Sequence, residues 1–138
     1  MLRLAADPAG EDLEILRGDR IIANFTIEIA RDFETRRKGL MWRTELASDG
    51  GMLFDFERTR GIRMWMKNTL LSLDMLFIDQ AGVIVRIEHD TVPGSLDLLG
   101  AGTPARYVLE INGGQARKAG IEPGDRIVPP DGFNSGKN

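Results

Sequence analysis

The chain has 138 residues, a net charge of −3 and no cysteine, with 42% hydrophobic and 28% charged residues. These values are typical of an ordinary globular protein with one sizeable core. The lack of cysteine excludes disulfides, thiolate catalysis and cysteine-ligated zinc or iron–sulfur centres. The acidic total favours neither nucleic-acid nor membrane binding, and no window approaches the ~18 apolar residues of a transmembrane segment.

Composition divides the chain into a flexible lead-in over residues 1–10, a single β domain over residues 11–128 and a flexible tail over residues 129–138. The tail is rich in proline and glycine, which favours mobility. The start has no apolar stretch of signal-peptide length. The protein is therefore either cytoplasmic or an exported chain whose leader has been removed, and the lack of cysteine favours an extracytoplasmic location.

The first half of the chain carries clear local signals. Apolar and polar residues alternate over residues 21–29, which predicts a half-buried strand, and the turn at Gly18-Asp19 pairs it with a preceding strand. Asp32 is a good N-cap for a short helix over residues 33–38, which Gly39 ends. Residues 52–56 predict another strand.

The middle segment combines soft, aromatic and charged side chains. We interpret residues 57–61 as a loop that leads into a strand over residues 62–67. Alternation in this strand puts Met64 and Met66 on one face, and three residues on the other, namely Arg63, Trp65 and Lys67. Trp65 is therefore a candidate aromatic platform between two cations. Alternatively, residues 36–43 cover it.

Several short elements follow at about ten-residue spacing. They are a hairpin over residues 75–78 and 83–87, a loop over 91–103, a strand over 106–111, a helical turn over 114–119 and a strand over 126–128. This pattern predicts a mainly β protein, a sandwich or barrel with about two short helices.

Basic residues are concentrated between residues 31 and 67. This segment holds nine Arg and Lys against six Asp and Glu. A local positive field attracts small anions, although scattered, solvated charges explain the same composition.

Two carboxylates, Asp74 and Glu110, stand between apolar neighbours, and Lys67 and Asn68 precede Asp74 across a predicted turn. Buried carboxylates are normally paired or hydrogen-bonded. One interpretation is a polar network that fixes the turn and the strand register. The other is a pocket in which these four residues bind a small polar or anionic ligand.

The sequence predicts no cofactor and no metal site. Methionine sulfur is a suitable ligand for Cu(I), but methionine is also the flexible filler of irregular cores. The single histidine, His89, is a weak metal signal. The chain has no serine-nucleophile elbow, phosphate-binding loop or dinucleotide fingerprint.

Six blocks of the sequence resemble a known family in order and spacing. They are Gly39-Leu40-Met41-x-Arg43, Gly51-Met52-Leu53-Phe54, Met64-Trp65-Met66-Lys67-Asn68-Thr69, Leu73-Asp74-Met75-x-Phe77-Ile78, Val108-Leu109-Glu110 and Gly124-Asp125. Over about residues 25–128 the chain is similar to the widespread bacterial and archaeal family called domain of unknown function 192.

The resemblance implies a compact, jelly-roll-like β domain and export in many members, but no activity, because the family has no established one. Carried over by position, the polar residues of the family fall on Arg43, Lys67, Asn68, Asp74, Glu110 and Asp125. The Thr-Pro that commonly opens the family's helix is replaced here by Asp32-Phe33, so the helix keeps a cap but loses the proline.

We therefore favour a small non-enzymatic binding or accessory module with a pocket for a small anionic or polar ligand. Its candidate binding residues are Arg43, Lys67, Asn68, Asp74 and Glu110. Alternatively, Asp74 or Glu110 is the general acid/base of an enzyme, with Lys67 as electrostatic stabiliser. A third interpretation is a purely structural or protein-interaction domain, for which the sequence names no partner.

Overall fold

The structure, a computed structural model, describes residues 10–128. The elements run in the order β1 Glu11–Arg17, β2 Arg20–Ala30, α1 Phe33–Lys38, β3 Gly50–Met64, β4 Leu73–Ile78, β5 Ile84–Glu88, β6 Leu99–Asn112, α2 Gln115–Ala119 and β7 Arg126–Val128. The prediction of a mainly β fold with two short helices is confirmed. Apart from Gly10, the predicted lead-in and tail lie outside the described residues.

The seven strands form one sheet in the order β5-β4-β6-β3-β2-β1-β7. Neighbouring strands are antiparallel except β2 and β3, which are parallel. A bridge between Val83, just before β5, and Arg126 of β7 brings the two edges of the sheet together. The result is a nearly closed barrel. No helix among residues 10–128 has the length and apolarity needed to span a membrane.

The sheet is apolar on both faces. One buried cluster, the barrel core, draws side chains from all seven strands, with Leu53, Leu76 and Leu109 among them. A second cluster, the outer core, includes Phe54 of β3 and Phe77 of β4 and is completed by side chains from segments outside the sheet. Every residue of β4 is buried, because this strand faces both clusters.

Helix α1 has the predicted bounds and the predicted cap. The Asp32 carboxylate accepts a hydrogen bond from the Thr35 backbone N–H at 2.8 Å. In return, the Thr35 hydroxyl oxygen accepts a hydrogen bond from the Asp32 backbone N–H. Gly39 ends the helix with a positive φ of 48°. The capping box is therefore complete, although this chain lacks the proline that commonly opens the helix in the family.

The predicted loop over residues 57–61 is wrong, because β3 continues through it. The strand pairs with β6 on both sides of an irregular stretch between Asp55 and Arg60. Strand β6 begins at Leu99, inside the segment predicted as a loop, and provides the partner that keeps β3 extended. Residues 65–67, predicted as strand, lie beyond the end of β3.

We expect Gly100→Ala to lower the free energy of unfolding by about 2–4 kcal/mol, measured by urea denaturation. A Cβ on Gly100 would lie 2.5 Å from Cε2 of Phe77. Overpacking costs about 1–3 kcal/mol, and the positive φ adds about 1 kcal/mol for a residue with a side chain.

Gly94→Ala is the matched control, because Gly94 also has a positive φ but open space around its Cα. Its loss should be about 1 kcal/mol. Equal losses in the two variants would show that overpacking against Phe77 does not contribute to the loss of stability.

Candidate functional site

A cleft of about 330 Å³ lies over the outer core, between α1, β3 and the segment after β3. Its floor includes the buried side chains of Leu40, Phe54 and Glu110. Six basic side chains surround it, namely Arg36, Arg37, Lys38, Arg60, Arg63 and Lys67. We call this feature the cationic cleft.

The cations of the cleft come from separate parts of the basic segment. Three belong to the last turn of α1, two belong to the second half of β3, and Lys67 follows that strand. None of the six acidic residues of the same segment lines the cleft. The only carboxyl group in the lining is that of Glu110, from β6.

The basic side chains of the cleft form no ion pair with a carboxylate of the described residues. Within residues 10–128 the ion pairs are Arg17–Asp125, Arg43–Glu28, Arg86–Glu88, Arg106–Asp55 and Arg117–Asp90. All five lie outside the cleft lining. Unpaired cations around a concave surface with an apolar floor create a positive field that concentrates anions.

Local contacts orient some of these cations. The Arg36 guanidinium donates to the backbone carbonyls of Arg31 and Asp55 and lies 5.6 Å from the centre of the Phe56 ring. The guanidinium of Arg63 packs against Gly102, where a Cβ would lie only 2.8 Å from it. Both groups are therefore held in place without an anionic partner.

The predicted platform residue, Trp65, lines the cleft and is 44% exposed. The Nζ of Lys67 lies 5.2 Å from the centre of its ring, which is a cation–π distance. Residues 36–41 lie on the same cleft but leave the indole accessible. The structure therefore brings Trp65 and Lys67 together, although both lie beyond the end of β3 and not on one strand face as the alternation predicts.

Glu110 is 4% exposed and forms no hydrogen bond or ion pair with another described residue. In the sheet it stands between Met52 of β3 and Met75 of β4, which both belong to the outer core. Burial raises the pKa of Glu110 from 4.5 to about 8. At neutral pH the floor of the cleft thus carries a protonated carboxyl group.

Asp74 lies on the opposite face of the sheet from Glu110. It pairs in register with Ile111 of the barrel core, whereas Glu110 pairs with Met75 of the outer core. Its carboxylate is buried and accepts hydrogen bonds from three backbone N–H groups, those of Asp90 (2.8 Å), Gly114 (3.1 Å) and Ala116 (2.9 Å). It therefore satisfies the N-terminus of α2, whose own N-cap, Gly114, has no side chain.

The other predicted residues also lie outside the cationic cleft. Arg43 forms a bidentate ion pair with Glu28 at 2.7 and 2.8 Å, which holds the pKa of that carboxyl below its usual value. The backbone carbonyl of Asn68 accepts the N–H of Trp42 at 2.8 Å. These contacts tie the loop after α1 to β2 and to the segment after β3.

Asp125, in the turn before β7, contacts strands β1 and β5. Its carboxylate binds the guanidinium of Arg17 on β1 and the backbone N–H of Glu122, and both contacts lower its pKa. Its carbonyl accepts the N–H of Ile84. Of the six family positions, the structure thus brings only Lys67 and Glu110 into the cleft.

Sequence reasoning missed four of the six cations of the cleft, namely Arg36, Arg37, Lys38 and Arg60, whereas it placed Arg63 beside Trp65. The signal for them was the basic excess over residues 31–67, but it did not indicate which cations converge. Within residues 10–128, no three His, Asp or Glu side chains are grouped as a metal site requires. The chemistry that this lining offers is therefore anion binding, aromatic contact and one protonated carboxyl group.

Residues 14–129 match the family model of domain of unknown function 192, which is described as an uncharacterized ACR. The chain belongs to this family. No curated protein matches the chain.

Two solved structures of bacterial proteins are similar to this member of the family. A candidate transcription regulator from Sinorhizobium meliloti 1021 is 44% identical, covers 87% of this chain and 93% of its own, and gives a TM-score of 0.82. A protein of unknown function from Novosphingobium aromaticivorans DSM 12444 is 35% identical, with 86% and 84% coverage and a TM-score of 0.80.

We expect Asp74→Asn to lower the free energy of unfolding by about 3 kcal/mol, measured by urea denaturation. The amide NH2 would replace an oxygen that accepts from Gly114 and Ala116, so donors would face donors in a buried site. Asp79→Asn is the control, because only one oxygen of Asp79 accepts hydrogen bonds, in the half-buried β4–β5 turn. It should cost no more than about 1 kcal/mol, and a similar cost in both variants would contradict this role of Asp74.

We expect Glu110→Gln to gain stability relative to the wild type as pH rises from about 5 to 8. The folded protein holds the Glu110 proton up to about pH 8, whereas the unfolded chain loses it near 4.5. Unfolding therefore releases a proton in this window, and wild-type stability falls by at most about 1.4 kcal/mol per pH unit. Gln does not titrate. Urea denaturation of both proteins at several pH values measures the difference, and a constant difference would contradict the raised pKa.

Proposed function

We propose that this protein is a non-enzymatic binding module whose cationic cleft holds a small amphipathic anion. The observation that carries the proposal is the set of six basic side chains without carboxylate partners around an apolar, aromatic floor. In this arrangement the anionic end of the ligand lies at the mouth and its apolar body lies over the floor.

Charge supports the placement of the anionic end. Two unit charges at 4 Å interact by about 4 kcal/mol near a protein surface, where the effective dielectric constant is about 20. The guanidinium groups of Arg36 and Arg63 are already oriented by backbone contacts, so less side-chain entropy is lost when an anion binds.

The floor supports the placement of the apolar body. Phe54 and Leu40 are buried beneath the cleft, and the exposed indole of Trp65 offers a face for stacking. The volume of about 330 Å³ is at the lower end of the range for ligand pockets. This space admits the body of a small aromatic or aliphatic anion.

We do not propose nucleic acid as the ligand, although the Sinorhizobium meliloti relative is described as a candidate transcription regulator. A duplex is recognised by a row of phosphate contacts on an extended surface, or by an element that enters a groove. The cations here surround a small concave floor, and the net charge of the chain is −3. A duplex oligonucleotide is accordingly a competitor that should fail in the binding assay below.

An enzyme that uses Glu110 as general acid/base is the second candidate. The observation that favours it is a protonated carboxyl group on the floor of an open cleft. Asp74, the other carboxylate considered for this role, has its oxygens occupied by backbone N–H groups on the opposite face of the sheet.

We also propose an extracytoplasmic location for the protein and a jelly-roll-like classification of its barrel. Both rest on the family resemblance, and the lack of cysteine further supports export. Fractionation of cells that express the full natural chain tests the location, since recovery with cytoplasmic markers would contradict it.

We expect the wild type to bind the fluorescent anion anilinonaphthalene sulfonate more tightly than neutral N-phenylnaphthylamine, which has the same rings without the sulfonate. Arg60→Gln and Arg63→Gln should each weaken anion binding by up to about fivefold and leave the neutral probe unaffected. Salt at about 1 M should remove most of the preference, because the Debye length is then about 3 Å.

Arg58→Gln is the matched control, because it removes the same charge from β3 at an exposed position outside the cleft lining. It should bind both probes as the wild type does. Equal binding of the two probes by the wild type, or equal effects of the Arg58 and Arg60 variants, would overturn the proposed function.

A further inference from the structure

The floor of the cationic cleft holds a polar group that has no partner among the described residues. Glu110 is 96% removed from solvent, lines the cleft and makes no hydrogen bond or ion pair with any other residue among 10–128. A buried polar group without a partner destabilises the folded protein. Such a group is positioned to form a hydrogen bond with a ligand that occupies the cleft.

The surroundings of Glu110 decide its protonation state. Its neighbours in the sheet, Met52 and Met75, are apolar, and so is the adjacent Phe54 on the floor. The charged groups that line the cleft are those of α1 (Arg36, Arg37, Lys38), of β3 (Arg60, Arg63) and Lys67, and none forms an ion pair with Glu110. Desolvation therefore dominates and keeps the carboxyl group protonated at neutral pH.

We propose that Glu110 donates a hydrogen bond to a neutral oxygen, a carbonyl or hydroxyl, at the buried end of the bound anion. This inference rests on the proposed function. It assigns the ligand to a class, anions that carry an acidic group at one end and a neutral oxygen acceptor at the other, with an apolar body between them. A ligand with an ammonium group at the buried end is disfavoured, because it would have to pass the six cations of the mouth.

Two benzoates of the same shape test this assignment. The para-acetyl compound carries a carbonyl acceptor opposite its carboxylate, whereas the para-isopropyl compound has no acceptor. At about pH 6 the wild type should bind the acetyl compound about fivefold more tightly, the effect of one net hydrogen bond. Above about pH 9 this preference should vanish, because the ionised Glu110 has no proton to donate.

Glu110→Gln and Glu110→Met separate hydrogen bonding from shape. Gln keeps an N–H donor at every pH, so Glu110→Gln should retain the preference at about pH 6 and at about pH 9 alike. Met has a similar length and no donor, so Glu110→Met should no longer prefer the acetyl compound. The pH series and Glu110→Gln decide the matter if the Met variant does not fold.

The possible failures are distinguishable. If both benzoates bind in a salt-sensitive manner and Arg63→Gln weakens both, but the preference is absent or is unchanged in Glu110→Met, the role of Glu110 is wrong and the proposed function stands. If the wild type binds neither benzoate and shows no preference for anilinonaphthalene sulfonate over its neutral analogue, both proposals are wrong.

Discussion

The register of β6 between β3 and β4 is the constraint on which the rest of this structure depends. Because side chains alternate across a strand, this register sends Leu109 and Ile111 into the barrel core and Val108 and Glu110 into the outer core. A slip of one residue would exchange the two sets. The apolar floor of the cleft and the acid within it both follow from this pairing.

Polar side chains hold the segments that cover the sheet. Asp74 ties the start of β4 to the loop after β5 and to α2, and Asp125 ties β1 to the turn before β7. Arg43 ties the loop after α1 to Glu28 on β2. The carboxylates of Asp74 and Asp125 are buried and are satisfied by these contacts, whereas Arg43 and Glu28 pair at a half-exposed surface.

The cationic cleft differs from these ties because its charges have no carboxylate partner among residues 10–128. Three cations on the last turn of α1 favour the helix C-terminus, which accounts for part of their presence. Arg60, Arg63 and Lys67 have no such explanation from local structure, and their convergence with Glu110 is what distinguishes this surface from an ordinary solvated one.

The sequence by itself determined the local elements. Helix α1 and the β1–β2 hairpin were predicted with close bounds, because caps, turns and alternation act within a few residues. Local signals predict a loop over residues 57–61, because the pairing that makes Arg60 and Gly61 part of a strand is with residues of β6, more than forty positions away. Only the tertiary structure decided which cations meet, and it separated Asp74 from Glu110. Both carboxylates stand in similar apolar sequence, but strand register places one at the N-terminus of α2 and leaves the other unpaired on the floor of a cleft.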